Sequence, residues 1–99
     1  MARFDVFERQ GEPGYLLDCQ ADILSQLTTR FVAPLLPPDR APHPAERLNP
    51  TFEVVGEPMV MVTQFAAAVP VRELGELTTS LDDQHIAIMN ALDMLLTGY

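Results

Sequence analysis

The stretch Pro50-Thr51-Phe52-Glu53-Val54-Val55-Gly56-Glu57-Pro58-Met59-Val60-Met61-Val62-Thr63 decides the fold class. Residues 50–55 have strand character, Gly56-Glu57-Pro58 predicts a turn, and strand character returns over residues 59–63. The stretch reads as a β-hairpin.

Working outward toward the N-terminus, a second hairpin is expected. In Arg3-Phe4-Asp5-Val6-Phe7-Glu8 the apolar Phe4 and Val6 alternate with Asp5, the period of a half-buried strand. The polar Gln10-Gly11-Glu12-Pro13-Gly14 should turn, and Tyr15-Leu16-Leu17-Asp18-Cys19 should return antiparallel to the first strand. Residues 20–27 read as a loop holding one helical turn. A third strand is expected over Arg30-Phe31-Val32-Ala33-Pro34-Leu35, where Pro34 lacks a ladder donor and so belongs at an edge, a bulge or a strand end. Four prolines between residues 36 and 44 predict a stiff exposed loop.

Toward the C-terminus, residues 65–70 suggest a helical turn or bulge, and residues 69–74 a short last strand stopping at Gly75. The period then changes. Ser80 precedes Leu81-Asp82-Asp83, with an N-cap hydroxyl and two aspartates suited to a helix start. Leu81, Ile88, Leu92 and Leu95 share one face with Met89 and Leu96 beside them. Asp83, Asn90, Asp93 and Thr97 form the other face, interrupted by Ile86, and Gly98 sits where such a helix would stop. A helix is expected over residues 81–96. The fold class is mainly β with a C-terminal α-helix, a small twisted barrel or sheet capped by that helix. So apolar a helix predicts a second copy to pack on, hence a homodimer.

Ninety-nine residues suit one domain spanning 1–99, and 47% apolar content places the chain among globular proteins. The six basic residues are all arginines against fourteen carboxylates, a net charge of −8. From residue 50 onward, seven carboxylates face Arg72 alone. Binding to nucleic acid or to an anionic membrane needs a basic footprint, so neither is expected. No apolar run follows the N-terminal positive charge, the longest apolar stretch is broken by Thr63, Gln64 and Pro70, and a single cysteine builds no disulfide framework. A cytoplasmic protein is the expectation.

Catalytic patterns are thin. His43 and His85 lack ligand-like spacing, and no glycine-rich phosphate loop or nucleophile elbow is present, so neither metal nor cofactor is expected. Cys19 follows Asp18, whose charge disfavours a thiolate, and reads as a packed cysteine. Asp82 and Asp83 are explained by helix capping, and Met59, Met61, Met89 and Met94 by gap-filling in a core. These residues point to a domain that binds another protein.

Several segments, in order, resemble the CcdB family of toxins from bacterial toxin–antitoxin modules. Arg3-Phe4-Asp5-Val6-Phe7 is similar to that family's first strand. Asp18-Cys19-Gln20-Ala21-Asp22-Ile23-Leu24 resembles its Asp-Val-Gln-Ser-Asp-Ile-type segment, and Arg30-Phe31-Val32-Ala33-Pro34-Leu35 its Arg-x-Val-x-Pro-Leu strand. Leu48-Asn49-Pro50 fits Leu-x-Pro, and Ala67-Ala68-Val69-Pro70-Val71 with Leu74-Gly75 resembles its Ser-Val/Ile-Pro-Val…Gly block. Ile86, Ile88, Ala91-Leu92 and Gly98 fit the family's C-terminal helix.

The resemblance implies an SH3-like small barrel of the CcdB/MazF type, with extra strands and a C-terminal helix, forming a two-fold homodimer. It implies a toxin that is not an enzyme but poisons DNA gyrase, entering the opened cavity of the gyrase A subunits, and that a CcdA-like antitoxin removes. On the target surface, Ile23 and Leu24 match an Ile-Ile pair, and Asp93 stands where the family has asparagine. The family ends Trp-Gly-Ile, its tryptophan stacking on a gyrase arginine, whereas this sequence reads Thr97-Gly98-Tyr99. Such stacking is worth about 0.5–2 kcal/mol. Either Tyr99 reaches back to supply it, or the surface serves another protein or none. The antitoxin site is implied at the first hairpin loop, Arg9, Gln10, Gly11, Glu12 and Pro13.

The competing class is a MazF-like ribonuclease, which needs an electropositive groove and an arginine at the developing charge. Arg30 is the residue that would fill that part, against the acidic balance of the chain.

Overall fold

The computed structural model describes residues 2–98. The strands are β1 (Asp5–Arg9), β2 (Tyr15–Asp18), β3 (Thr29–Leu36), β4 (Thr51–Val54), β5 (Glu57–Met61), β6 (Ala67–Pro70) and β7 (Leu74–Ser80). The helix α1 (His85–Thr97) follows. All strand pairs are antiparallel, in the order β4-β5-β3-β2-β1-β7, with β6 alongside β3 as well. The result is a half-barrel closed over its core by one helix, the mainly β fold with a C-terminal α-helix expected from the sequence.

The first hairpin forms as expected, β1 and β2 meeting in the register Val6↔Leu17. Its loop depends on Gly14, whose φ is 101° and whose absent Cβ would lie 2.5 Å from the Leu35 carbonyl oxygen. The second hairpin turns earlier than expected, at Val55-Gly56, where both φ values are positive (51° and 80°). Such a two-residue turn matches strand twist, which lets Glu57 and Pro58 enter β5. Pro58 is tolerated there because β3 engages β5 only at Val60 and Met61.

Pro34 lies inside β3, opposite Leu16, rather than at an edge or strand end. Its carbonyl accepts the Val62 N–H at 2.9 Å. A strand residue turns its N–H and C=O to the same edge, so the missing donor faces the break between β6, which ends its pairing at Val32, and β5, which begins at Leu35. The interruption in the ladder takes the place of an edge.

The end of the sheet also differs from expectation. Residues 69–74 are not one strand: Pro70 ends β6, a short 3-10 turn occupies Val71–Glu73, and β7 begins at Leu74 and runs on to Ser80. Gly75 does not stop that strand. It lets β7 cross β1 closely, since a Cβ there would come 2.5 Å from the Glu8 carbonyl oxygen, at a point where the β1–β7 register shifts.

The helix starts later than expected. Asp82–Gln84 form a 3-10 turn, with the Asp82 N–H donating to Ser80 Oγ at 3.2 Å, and the α-helix spans His85–Thr97. Gly98 ends it in the left-handed region, φ 83°, with its N–H donating to the Met94 carbonyl. The buried face is Ile88, Ala91 and Leu92, together with Leu81 before the helix. Of the residues expected on or beside the packed face, Leu95 and Met89 lie at its open margin and Leu96 points outward, as does Ile86. The core gathers Phe4, Val6, Leu17, Leu35, Phe52, Met61 and Ile88. Met59 and Met61 fill core space, as their alternation suggested.

Candidate functional site

The chain between β2 and β3 carries the most exposed large apolar side chain among the described residues. Residues 21–29 bury none of their side chains, and within them Asp22–Leu24 form a 3-10 turn. Ile23 is 89% exposed, Leu24 47% and Leu27 50%. Exposed apolar groups this close together mark a surface made for contact.

What lies beneath the turn is polar and buried. Arg30 and Asp18 are fully buried on adjacent strands, with Arg30 Nε donating to Asp18 Oδ2 at 3.0 Å and Nη2 to the same oxygen. The other carboxylate oxygen accepts the Gln20 backbone N–H at 3.0 Å. The buried Gln20 amide then reaches outward. Its Nε2 donates to the carbonyls of Leu24 (3.0 Å) and Thr29 (3.2 Å), and its Oε1 accepts the Phe31 N–H at 2.9 Å. At the outer margin, Asp22 Oδ1 accepts the Arg3 N–H at 2.7 Å. The sequence offered a signal for this network, an aspartate and an arginine at strand positions otherwise apolar, but their pairing needs the β2–β3 register to be seen.

Arg30 is thereby removed from the role a ribonuclease would give it, since its guanidinium is buried and its charge is met by Asp18. Cys19, beside this pair, packs partly against the core, and burial, followed by the Asp18 charge, pushes its thiol up to about 12. That is the packed, unreactive cysteine expected from its neighbour.

The remaining target-surface residues sit on α1. Asp93 and Thr97 are exposed, and Thr97 Oγ1 donates to the Asp93 carbonyl at 2.6 Å, folding the hydroxyl back on its own helix. Gly98 is exposed at the helix end, and Tyr99 lies outside the described residues. The turn carrying Ile23 and Leu24 is not a principal neighbour of α1, which packs on the Thr63–Phe65 and Asp82–Gln84 turns.

The first hairpin loop is exposed and tied down. Arg9 pairs with Glu12 at 2.5 Å and donates to the Pro13 carbonyl at 3.1 Å. Gln10 Nε2 donates to the carbonyls of Arg72 (3.2 Å) and Leu74 (3.0 Å), and Gly11 takes φ 78°. A cleft of about 380 Å³ opens beside it, lined in part by Glu8, Glu12, Tyr15 and Glu57. Among the described residues no group of three or more metal-ligating side chains forms, and no helix is long and apolar enough to cross a membrane.

An antiparallel half-barrel with one C-terminal helix is the fold of MazF-type toxins. Among solved structures, Mycobacterium tuberculosis toxin MazF-mt6 matches over 92% of this chain and 93% of its own, at 18% identity and a TM-score of 0.73. At that identity the likeness is one of fold. The chain belongs to the CcdB family: the family model, described as CcdB protein, matches residues 3–98. Membership implies the toxin component of a toxin–antitoxin module. No curated protein gives a significant match.

Proposed function

We propose that this toxin poisons DNA gyrase by binding its A subunit as a homodimer, without catalysing a reaction itself, and that a CcdA-like antitoxin neutralises it. The observation that carries the reading is Ile23, held almost fully in solvent on a braced turn at the position matching the family's target surface. An isoleucine so exposed has burial to gain only from a partner, roughly 2 kcal/mol for a side chain of that size. The contact surface comprises Ile23, Leu24, Asp93, Thr97, Gly98 and Tyr99. The outward Ile86 and Leu96 of α1 support an interface with a second copy. The antitoxin takes the loop Arg9 to Pro13 and its acidic cleft. The site of action is the cytoplasm. Neither direct nucleic-acid binding nor membrane binding is part of the mechanism, in keeping with the −8 charge.

One observation favours a second reading. Thr97 stands where the family's stacking tryptophan would be, and its hydroxyl is spent on Asp93 within the helix. On that reading the same surface engages a protein other than gyrase. Induced expression in bacteria separates the two. Gyrase poisoning gives growth arrest with broken DNA, relieved by co-expressed antitoxin. Growth arrest with intact DNA and normal supercoiling transfers the surface to another target, and normal growth removes toxicity from the account. The ribonuclease reading is disfavoured by the buried Arg30 and would return if purified protein cut RNA.

A further inference from the structure

The turn that holds Ile23 outward has no hydrophobic anchor of its own. Residues 21–29 are all exposed, so burial does not fix their backbone. An apolar side chain on a loose turn would fold down onto the nearest apolar surface. The hydrogen bonds at the margins, Arg3 N–H to Asp22 Oδ1 at 2.7 Å and Val71 N–H to the Thr28 carbonyl at 2.9 Å, hold the ends. Within the turn the Leu24, Ser25 and Leu27 N–H groups donate to the Ala21, Asp22 and Leu24 carbonyls at 2.9, 3.0 and 3.1 Å, and Gln20 is the side chain that ties this hydrogen-bonded middle to β3. Its amide crosses beneath the turn, joining the Leu24 carbonyl at the apex to Thr29 and Phe31 at the start of β3.

We infer that Gln20 is the positioning residue of the target-binding turn, a latch that presets Ile23 and Leu24 for their partner; this rests on the reading that the turn is the target surface. Glutamine suits the place chemically. Its three partners are two carbonyl acceptors, which need N–H donors, and one N–H, which needs an acceptor. A carboxylate would satisfy Phe31 alone and set negative oxygen against two carbonyls. Asp18 extends the latch downward, accepting the Gln20 N–H while Arg30 holds Asp18 in place. The buried ion pair thus aims a side chain toward the surface turn, one polar chain from core to contact face. A latched turn loses less conformational freedom on binding, which strengthens the complex without adding a contact.

The test compares the full-length protein with Gln20→Met and Gln20→Glu, reading both affinity for the gyrase A subunit and hydrogen exchange residue by residue. The expected result is amide exchange at Leu24, Ser25 and Leu27 at least tenfold faster in either variant, sheet amides such as Leu35 and Val62 unchanged, and binding weakened about tenfold. Ile23→Ser weakens binding as well but leaves loop exchange as in the wild type, separating the contact from the latch. Binding equal to wild type, or exchange rising equally in loop and sheet, overturns the inference. Should wild type itself fail to bind gyrase A, the gyrase reading fails, and loop exchange alone decides the latch. If neither variant folds, the wild-type protein still answers: the latch requires slowly exchanging Gln20 side-chain amide protons, and rapid exchange there overturns it.

Discussion

Arg30 donates from Nε across 3.0 Å to Asp18 Oδ2, and both side chains are shut away from water. Two charges removed from solvent lose their hydration, and their mutual attraction repays that loss only with good geometry. The repayment here is incomplete. Arg30 Nη1 is buried with no hydrogen-bond partner among the described residues. A pair of this kind contributes to specifying which strands meet and what they hold up, and only weakly to net stability.

Removing one partner leaves the other buried and uncompensated. Arg30→Met should therefore destabilise the fold by about 3–5 kcal/mol in urea denaturation. Replacing both, Asp18→Leu with Arg30→Met, should cost less than Arg30→Met alone. A double variant worse than the single one would mean that the pair itself supplies stability.

Val55 provides a change in the opposite direction. It holds φ 51° at the first position of the β4–β5 turn, a conformation that a β-branched residue resists, and it is 68% exposed. Val55→Asn keeps the turn and relieves the strain. The expected gain is about 1 kcal/mol, or roughly 4–8 °C in the thermal midpoint for a domain of this size. An unchanged or lower midpoint would show that Val55 is not strained there.

The Cys19 thiol, pushed up to about 12 by burial and then by Asp18, makes stability fall at alkaline pH. Below the ordinary thiol pKa both folded and unfolded chains hold the proton, and nothing changes. Above it the unfolded chain releases the proton while the folded chain keeps it, so unfolding gains up to ~1.4 kcal/mol per pH unit until the folded thiol also ionises. The chain has no lysine to obscure this window. Cys19→Ala should flatten the difference in denaturation midpoint between pH 8 and pH 10, and an equal slope in both proteins would contradict the burial of this thiol.

The local signals in the sequence were sufficient for β1 to β5 and for the presence of the helix, because Phe4 and Val6 carry the period of a strand and Ile88 and Leu92 that of a helix, but they did not separate β6 from β7. They misjudged places where a neighbour decides. Pro34 reads as an edge residue, yet β6 and β5 leave a gap that accepts it in mid-strand. Gly75 reads as a stop, yet its missing Cβ is what lets β7 pass the Glu8 carbonyl. Ile23 and Leu24 were singled out by resemblance, and the structure shows both exposed. Their support was not legible, since Gln20, Asp18 and Arg30 become one network only when β2 and β3 align.

In the proposed function this surface holds gyrase with its DNA cut. Purified protein incubated with gyrase, ATP and plasmid DNA, followed by denaturation of the enzyme, measures it directly. Linear DNA should accumulate with added toxin, an effect lost on Ile23→Ser and reversed by antitoxin. Supercoiling that proceeds normally with no linear product, at toxin concentrations well above those of gyrase, would contradict it.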